Sequence, residues 1–182
     1  MKLPTSPIPL YTAEEIAARV QTMGKQIAST YAGEELLVVG LLKNSLVFMA
    51  DLMRAIPMPF RSYTLRVVHV SETHGGPAAI QVLYGGEVPV EGQHVLLVDD
   101  VIDTGVTLAY VRDHLNSRGP KSLRMAVLLD RTAPRKTQLV PEWSAFRLEA
   151  ENDQRFLVGY GLDHSDYYRG LPYVGVLERP GS

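Results

Sequence analysis

Val95-Leu96-Leu97-Val98-Asp99-Asp100-Val101-Ile102-Asp103-Thr104-Gly105-Val106-Thr107 passes within thirteen residues from an apolar run, through three carboxylates, to a turn rich in threonine and glycine. With His94 in front, residues 94–98 read as a short strand buried on both faces, as in parallel sheets. The pattern expects that strand to stop at Val98, with Asp99 and Asp100 just beyond its end. A helix should then occupy about residues 107–117, ended by Gly119-Pro120.

Working outward, residues 36–42 are another short apolar run, and residues 123–129, apolar but for Arg124, read as a third buried strand. Thr12-Ala13-Glu14-Glu15 is a capping box, in which Thr12 caps the amide three residues on and Glu15 reaches back. The helix it opens should reach about Tyr31, with Ile16, Val20, Met23 and Ile27 on one face and Gly33 closing it. Residues 45–56 read as a helix with Val47, Phe48, Leu52 and Ile56 inward, stopped by Pro57 and Pro59. Residues 60–70, 79–84, 143–148 and 173–177 read as further strands. Residues 71–78, with Gly75, Gly76 and Pro77, read as a loop. Residues 1–10 are left as an arm. Buried strands alternating with helices give an α/β fold, a central mainly parallel sheet flanked by helices.

Composition narrows the partners. The 182 residues suffice for one domain with a sizeable core, and 46% apolar with 21% charged residues is an ordinary globular mix. Lys plus Arg total 18 against 20 for Asp plus Glu, a formal charge of −2, so no nucleic acid partner is expected. The chain has no cysteine, which excludes disulfides, thiol catalysis and zinc–thiolate sites. His94, His114 and His164 lack metal-ligand spacing. Residues 1–10 show no signal-peptide pattern and no run approaches the ~20 apolar residues of a membrane span. A cytoplasmic protein without a membrane partner is the expectation.

The chemistry concentrates where the apolar run meets the acids. Ligands of parallel sheets sit beyond the carboxyl ends of strands. Thr104, Gly105, Val106 and Thr107 directly precede a helix, whose unpaired amides and positive dipole end suit a phosphate. Gly105 permits close backbone approach. Carboxylates beside a phosphate cradle make sense if they face hydroxyls and a metal. Asp99 and Asp100 can accept from two ribose hydroxyls, and a magnesium ion can bridge those hydroxyls to a pyrophosphate. Competing phosphate motifs fail: there is no G-x-x-x-x-G-K-[ST], and Gly159-Tyr160-Gly161 is followed by His164 where a dinucleotide fingerprint needs glycine.

This pattern resembles the phosphoribosyl-diphosphate motif of type I phosphoribosyltransferases. The resemblance implies a core of about residues 33–150 under a small hood from about residues 1–12 and 150–182, together one domain over 1–182. It implies 5-phosphoribosyl diphosphate (PRPP) as sugar donor and Mg2+ as cofactor. Asp99 and Asp100 would meet the ribose hydroxyls and a metal, and Thr104 to Thr107 the 5′-phosphate. Asp103 would be the general base that accepts the purine N7 proton.

Three further segments resemble the hypoxanthine-guanine branch. Lys43, followed by Asn44, stands where the family has a pyrophosphate-positioning Lys followed by Gly, often with a non-proline cis bond. Lys43 could act through its ammonium or through its backbone. Arg131, in Leu128-Leu129-Asp130-Arg131, takes the place of a Lys that bonds the purine 6-oxo group. Phe156-Leu157-Val158-Gly159-Tyr160-Gly161-Leu162-Asp163, with Arg169 and Leu171-Pro172-Tyr173, is similar to the purine pocket. Phe156 would stack on the base, the Leu157 backbone would read its edge, Asp163 would hold a second magnesium through water, and Arg169 would meet pyrophosphate. The family's Ser-Tyr lid pair is missing: His69-Val70-Ser71-Glu72-Thr73-His74 occupies that stretch, and Ser62-Tyr63 lies too early, within a strand.

The resemblance implies an enzyme of purine salvage that joins PRPP to a 6-oxo purine, hypoxanthine or guanine, and that forms a homodimer or homotetramer. Two alternatives stay open: a non-catalytic PRPP- or nucleotide-binding regulator on the same fold, and a transferase preferring xanthine. The segment from Phe156 to Asp163 argues against a pyrimidine.

Overall fold

The computed structural model describes residues 6–70, 79–84, 87–149 and 156–177. Its elements run β1 (Ile8–Tyr11), α1 (Ala13–Thr30), β2 (Leu36–Leu42), α2 (Leu46–Ala55), β3 (Phe60–Val70), β4 (Ala79–Tyr84), β5 (His94–Ile102), α3 (Val106–Asn116), β6 (Ser122–Arg131), β7 (Trp143–Leu148), β8 (Phe156–Val158) and β9 (Val174–Leu177). Six strands form one sheet in the order β4-β3-β2-β5-β6-β7, parallel except for the antiparallel β4 at one edge. A second sheet, β1-β9-β8, joins the start of the chain to its end.

The apolar runs are strands because both their faces are covered. Leu36, Val38, Leu96 and Val98 pack with Ile16, Val20, Met23 and Ile27 of α1 and Phe48 and Leu52 of α2. Their neighbours Leu37, Val39, Val95 and Leu97 pack on the other face with Leu108, Val111 and Leu115 of α3. The period of two that sends alternate side chains to opposite faces is here apolar on both. Helix α1 begins with the expected box: Thr12 Oγ1 accepts from the Glu15 amide at 3.2 Å, and Glu15 Oε2 accepts from the Thr12 amide at 2.8 Å.

The structure corrects three sequence expectations. Strand β5 does not stop at Val98 but continues to Ile102, with Asp99 opposite Val127 and Ile102 opposite Asp130 of β6. Asp99 and Asp100 are therefore strand residues with alternating directions, not a turn. The arm contains a strand, β1, whose Pro9 sits next to a register irregularity at a sheet edge, where a residue without an N–H is tolerated. The Phe156 segment likewise opens with a strand, β8, at the other edge of the same sheet. Ser62 and Tyr63 lie within β3, opposite Val38 and Val39, as expected. The loop expectation for residues 71–78 and the comparison with the lid pair at 71–74 fall outside the described residues.

The sheet order fixes where a ligand can sit. From β2 the chain crosses to β3 on one side, and from β5 it crosses to β6 on the other. Strand order therefore reverses between β2 and β5, and the carboxyl ends of these two strands diverge into a crevice.

Candidate active site at the sheet switch point

A cleft of about 230 Å³ opens at that reversal, lined by Leu42, Lys43, Asn44, Asp99, Asp100 and Thr107 among others. Two wider clefts lie elsewhere. One of about 330 Å³ includes Glu35, Leu36 and Phe60 at the amino ends of β2 and β3. Another of about 370 Å³ lies where Ala13, Val47, Tyr160 and Leu171 meet. Neither gathers carboxylates, a lysine and a helix start as the switch-point cleft does.

Asp100 is buried at 7% exposure, whereas Asp99 is partly accessible. Asp99 Oδ1 accepts from the Asp100 amide at 2.9 Å. Burial pushes the Asp99 carboxyl well above the usual carboxylate range, and the neighbouring Asp100 charge pushes it further. Burial also raises Asp100, against hydrogen bonds from Asp99, the backbone and Asn44 that pull it back. Two carboxyls that ionise reluctantly side by side suit a cation or hydroxyl donors. Among the described residues no group of three or more metal-ligating side chains converges. The pair thus fits a magnesium ion that keeps waters and substrate oxygens, rather than an all-protein cage.

A stability test follows from these directions. A carboxyl whose folded pKa is raised binds protons more tightly folded than unfolded. Its contribution is fullest below the ordinary carboxyl range and is lost as pH rises through the folded values. At pH 7 the pair therefore costs stability. Asp99→Asn, whose Oδ1 can still accept from the Asp100 amide, should stabilise the ligand-free protein by roughly 0.5–2 kcal/mol, raising Tm by a few degrees. A lower Tm than wild type at pH 7 would contradict the strain assigned to the pair.

Helix α3 starts at Val106, one residue before the expected start, with Gly105 as its N-cap. Its first main-chain bond is Ala109 N to Gly105 O, 2.8 Å, so the amides of Gly105, Thr107 and Leu108 lie outside the ladder. The Val106 amide reaches Thr104 Oγ1 at 3.4 Å. Gly105 has φ +80, and a Cβ there would stand 2.3 Å from Thr137 Oγ1 and 3.0 Å from Arg135 Cδ. The need for glycine is therefore first internal: the loop at 135–137 presses on the backbone of residues 104 and 105, and Lys136 N donates to Thr104 O at 2.9 Å.

Arg131, at the end of β6, points its Nη1 at Asp103 Oδ1 across 3.6 Å. That oxygen is buried without a hydrogen bond, while the Asp103 side chain as a whole is 49% exposed. The two residues placed on the purine by resemblance thus face each other. Arg135, which sequence reasoning missed, lies beneath them. Its Nε donates to Asp103 O at 3.0 Å, and its Nη2 donates to Arg131 O at 3.2 Å and to buried Asp130.

The hood closes the other side. Gly161 has φ +99, and a Cβ on it would stand 2.3 Å from Asn44 O, so the turn after β2 seats directly on the hood. Arg169 Nη1 donates to Asn44 Oδ1 and, at 2.9 Å, to Gly161 O. Asn44, the departure from the family's glycine, is thereby bonded into the site. The cis peptide bond is Leu42–Lys43, one bond before the Lys43–Asn44 bond that the resemblance raised. Asp163 Oδ1 meets Arg169 Nη2 at 2.9 Å, and its Oδ2 accepts from the Asp166 amide at 2.7 Å. Asp166, also missed, bonds both Lys43 and Arg169, whose donors hold its carboxyl below the usual range. Tyr160 donates to Asp51 and so ties the hood to α2; burial and that carboxylate raise its hydroxyl pKa.

Phe156 is 52% exposed and meets His164 edge-on at 5.2 Å, leaving ring surface uncovered. Leu157 pairs with Val176 in an edge strand, so one row of β8 peptide groups faces away from β9.

The architecture and sequence have counterparts. A family model described as a phosphoribosyl transferase domain matches residues 9–165. A hypoxanthine-guanine phosphoribosyltransferase from Streptococcus mutans is 37% identical over 172 residues, 93% of this chain and 92% of that one. One from Dictyostelium discoideum is 35% identical over 93% of this chain and 94% of its own length. A crystal structure of a hypoxanthine-guanine phosphoribosyltransferase from Bacillus anthracis superposes with a TM-score of 0.84 at 31% identity, covering 97% of this chain and 100% of that one. Similarity at 35–37% identity over 93% of the chain, with a family model spanning most of it, shows that the chain belongs to the phosphoribosyltransferase family, among the hypoxanthine-guanine phosphoribosyltransferases.

Proposed function

We propose that this protein transfers the 5-phosphoribosyl group from PRPP to hypoxanthine or guanine, giving IMP or GMP and pyrophosphate. The observation that carries the reading is the meeting of three groups at one sheet reversal: the Asp99–Asp100 pair, the open amides before α3, and Asp103 facing Arg131. The first suits ribose hydroxyls, the second a 5′-phosphate, and the third a base that must lose a proton as it reacts.

In this mechanism Asp99 and Asp100 orient the ribose, and the amides and hydroxyls of Thr104 to Thr107 fix its phosphate. Phe156 stacks on the purine, and Leu157 meets its edge through the backbone. Purine N9 forms its bond to C1′ while the bond from C1′ to pyrophosphate breaks, and the leaving oxygen keeps the electron pair. Asp103 accepts the N7 proton. Lys43, Asn44 and Arg169 receive the pyrophosphate. A magnesium ion, when bound, would supply positive charge that offsets the charge developing on the departing pyrophosphate. Asp99 and Asp100 would hold it, with Asp163 placed for a second ion through water. Catalysis is then positioning and charge stabilisation around an oxocarbenium-like sugar. The same reading makes the whole chain one functional unit, cytoplasmic, and a homodimer or homotetramer.

The test is kcat/KM for hypoxanthine, guanine, xanthine and adenine with PRPP and magnesium, in wild type and Arg131→Ala. Arginine carries five donors and no acceptor. A 6-oxo purine offers it an acceptor, whereas adenine offers a donor and leaves both unpaired in a dry pocket. Each such group costs about 1–3 kcal/mol, so adenine should react at least ~10²-fold more slowly than hypoxanthine. Arg131→Ala should narrow that ratio, chiefly by damaging hypoxanthine use. No pyrophosphate from any base would leave a PRPP-binding regulator as the better reading. An unchanged hypoxanthine-to-adenine ratio in the variant would remove Arg131 from base recognition. Xanthine should be poorer than guanine, since it presents an oxygen where guanine offers its 2-amino group to backbone carbonyls near Leu157 or Asp163.

A further inference from the structure

We propose that Asp166 is a built-in counter-anion. Its carboxylate occupies the cations that receive pyrophosphate, must swing out before pyrophosphate binds, and competes for them as pyrophosphate leaves. This rests on the reading of Lys43 and Arg169 as the pyrophosphate cations.

One oxygen, Asp166 Oδ1, lies 2.9 Å from Lys43 Nζ and 2.9 Å from Arg169 Nη2. It bridges an ammonium that follows β2 to a guanidinium of the hood, as a pyrophosphate oxygen would. Arg169 Nη2 also meets Asp163 Oδ1 at 2.9 Å. Two cations are thus balanced by two carboxylates, and an arriving anion finds no net positive charge in this cluster until one acid lets go.

The two acids are held differently. The Asp163 side chain is 20% exposed, and its second oxygen accepts from the Asp166 amide. The Asp166 side chain is 71% exposed, and both of its cation contacts are ion pairs near solvent, the kind that is individually weak. Asp166 is therefore the acid that yields. Arg169 does not depend on it for position, because Nη1 stays bonded to Asn44 Oδ1 and Gly161 O. The departing carboxylate leaves behind an anchored guanidinium with Nη2 available. Affinity for pyrophosphate is thereby tempered, which favours release of a product that would otherwise hold two cations.

The test is Asp166→Asn. Asp166 has φ +65, a conformation that asparagine tolerates well, so the turn keeps its backbone. Asparagine keeps the amide bond to Asp163 but cannot neutralise Lys43 or Arg169. In the full-length protein with magnesium, calorimetry should show pyrophosphate bound about 3- to 10-fold more tightly, with KM for PRPP lowered in the same sense. Tm should fall by no more than a few degrees, since exposed ion pairs are individually weak. Unchanged or weaker pyrophosphate binding overturns the proposal, because a carboxylate that merely positions the two cations gives that result. Arg169→Gln separates the two readings. If it leaves pyrophosphate affinity unchanged, the pyrophosphate assignment falls and the counter-anion with it. If it weakens binding while Asp166→Asn does not tighten it, the counter-anion alone falls.

Discussion

Asp103→Asn is expected to lower turnover by about 10²- to 10⁴-fold, the reach of one positioned acid–base group. Asparagine has the same shape and size but no basic oxygen, so it cannot take the N7 proton when N9 bonds to the sugar. The fold should tolerate it. The main-chain oxygen of Asp103, not its side chain, is what Arg135 holds. The side chain is half in solvent, with a 3.6 Å approach to Arg131 in place of a hydrogen bond. PRPP affinity by calorimetry should stay near wild type, because the proposed mechanism assigns the ribose and phosphate to Asp99, Asp100 and residues 104–107. The loss should therefore fall on kcat. Turnover within about 3-fold of wild type would move the base elsewhere; a loss confined to KM for PRPP would make Asp103 a binding residue and not a proton acceptor.

Much of this arrangement was legible in the chain. Three runs became the central strands because both of their faces are apolar, with Arg124 near the amino end of β6 the one charged exception. The change from apolar run to acids to Thr-Gly-Val-Thr carried the site, because a strand, a turn and a helix start are each short-range events. What stayed hidden is long-range or depends on an edge. Strand β1 contains Pro9 and spans four residues, so alone it has no strand signal; pairing with β9 supplies it. The continuation of β5 through Asp99 and Asp100 depends on β6 lying beside it to complete the ladder. Gly105 was legible as a glycine that something must approach closely; the sequence suggested a phosphate, and the close neighbour that only the fold supplies is Thr137, which a Cβ would meet. Asp166 could have been singled out by its spacing of three before Arg169, and its link to Lys43 by nothing short of the fold.

Arg135 was missed for a related reason, and it carries the second large effect. In Pro134-Arg135-Lys136 it looks like a surface turn, where arginine is commonplace. In the fold its side chain is 12% exposed and paired with Asp130, itself 5% exposed. The planar fork donates to five groups: the main-chain oxygens of Ile102, Asp103, Arg131 and Leu139, and the Asp130 carboxylate. Those oxygens belong to the last residue of β5, the loop after it, the last residue of β6 and the segment leading towards β7. One guanidinium thus bridges the Asp103 and Arg131 backbones, and so the residues proposed as proton acceptor and base reader. Arg135→Ala would leave a buried carboxylate without its cation and strip these carbonyls of donors. Removing one member of a buried pair costs about 3–5 kcal/mol, which for a chain of this length lowers Tm by roughly 10 °C. Lysine should recover little, because a compact ammonium with three donors cannot span the fork. If the cost is the stranded charge of Asp130, then Asp130→Asn combined with Arg135→Ala should be less destabilised than Arg135→Ala alone. Urea unfolding of the three variants measures this. A cost below ~1 kcal/mol for Arg135→Ala, within the range of ordinary surface substitutions and weak exposed pairs, would mean that the strand ends hold their spacing without it. A double variant as unstable as the single one would assign the loss to the unpaired carbonyls at the ends of β5 and β6 rather than to the carboxylate.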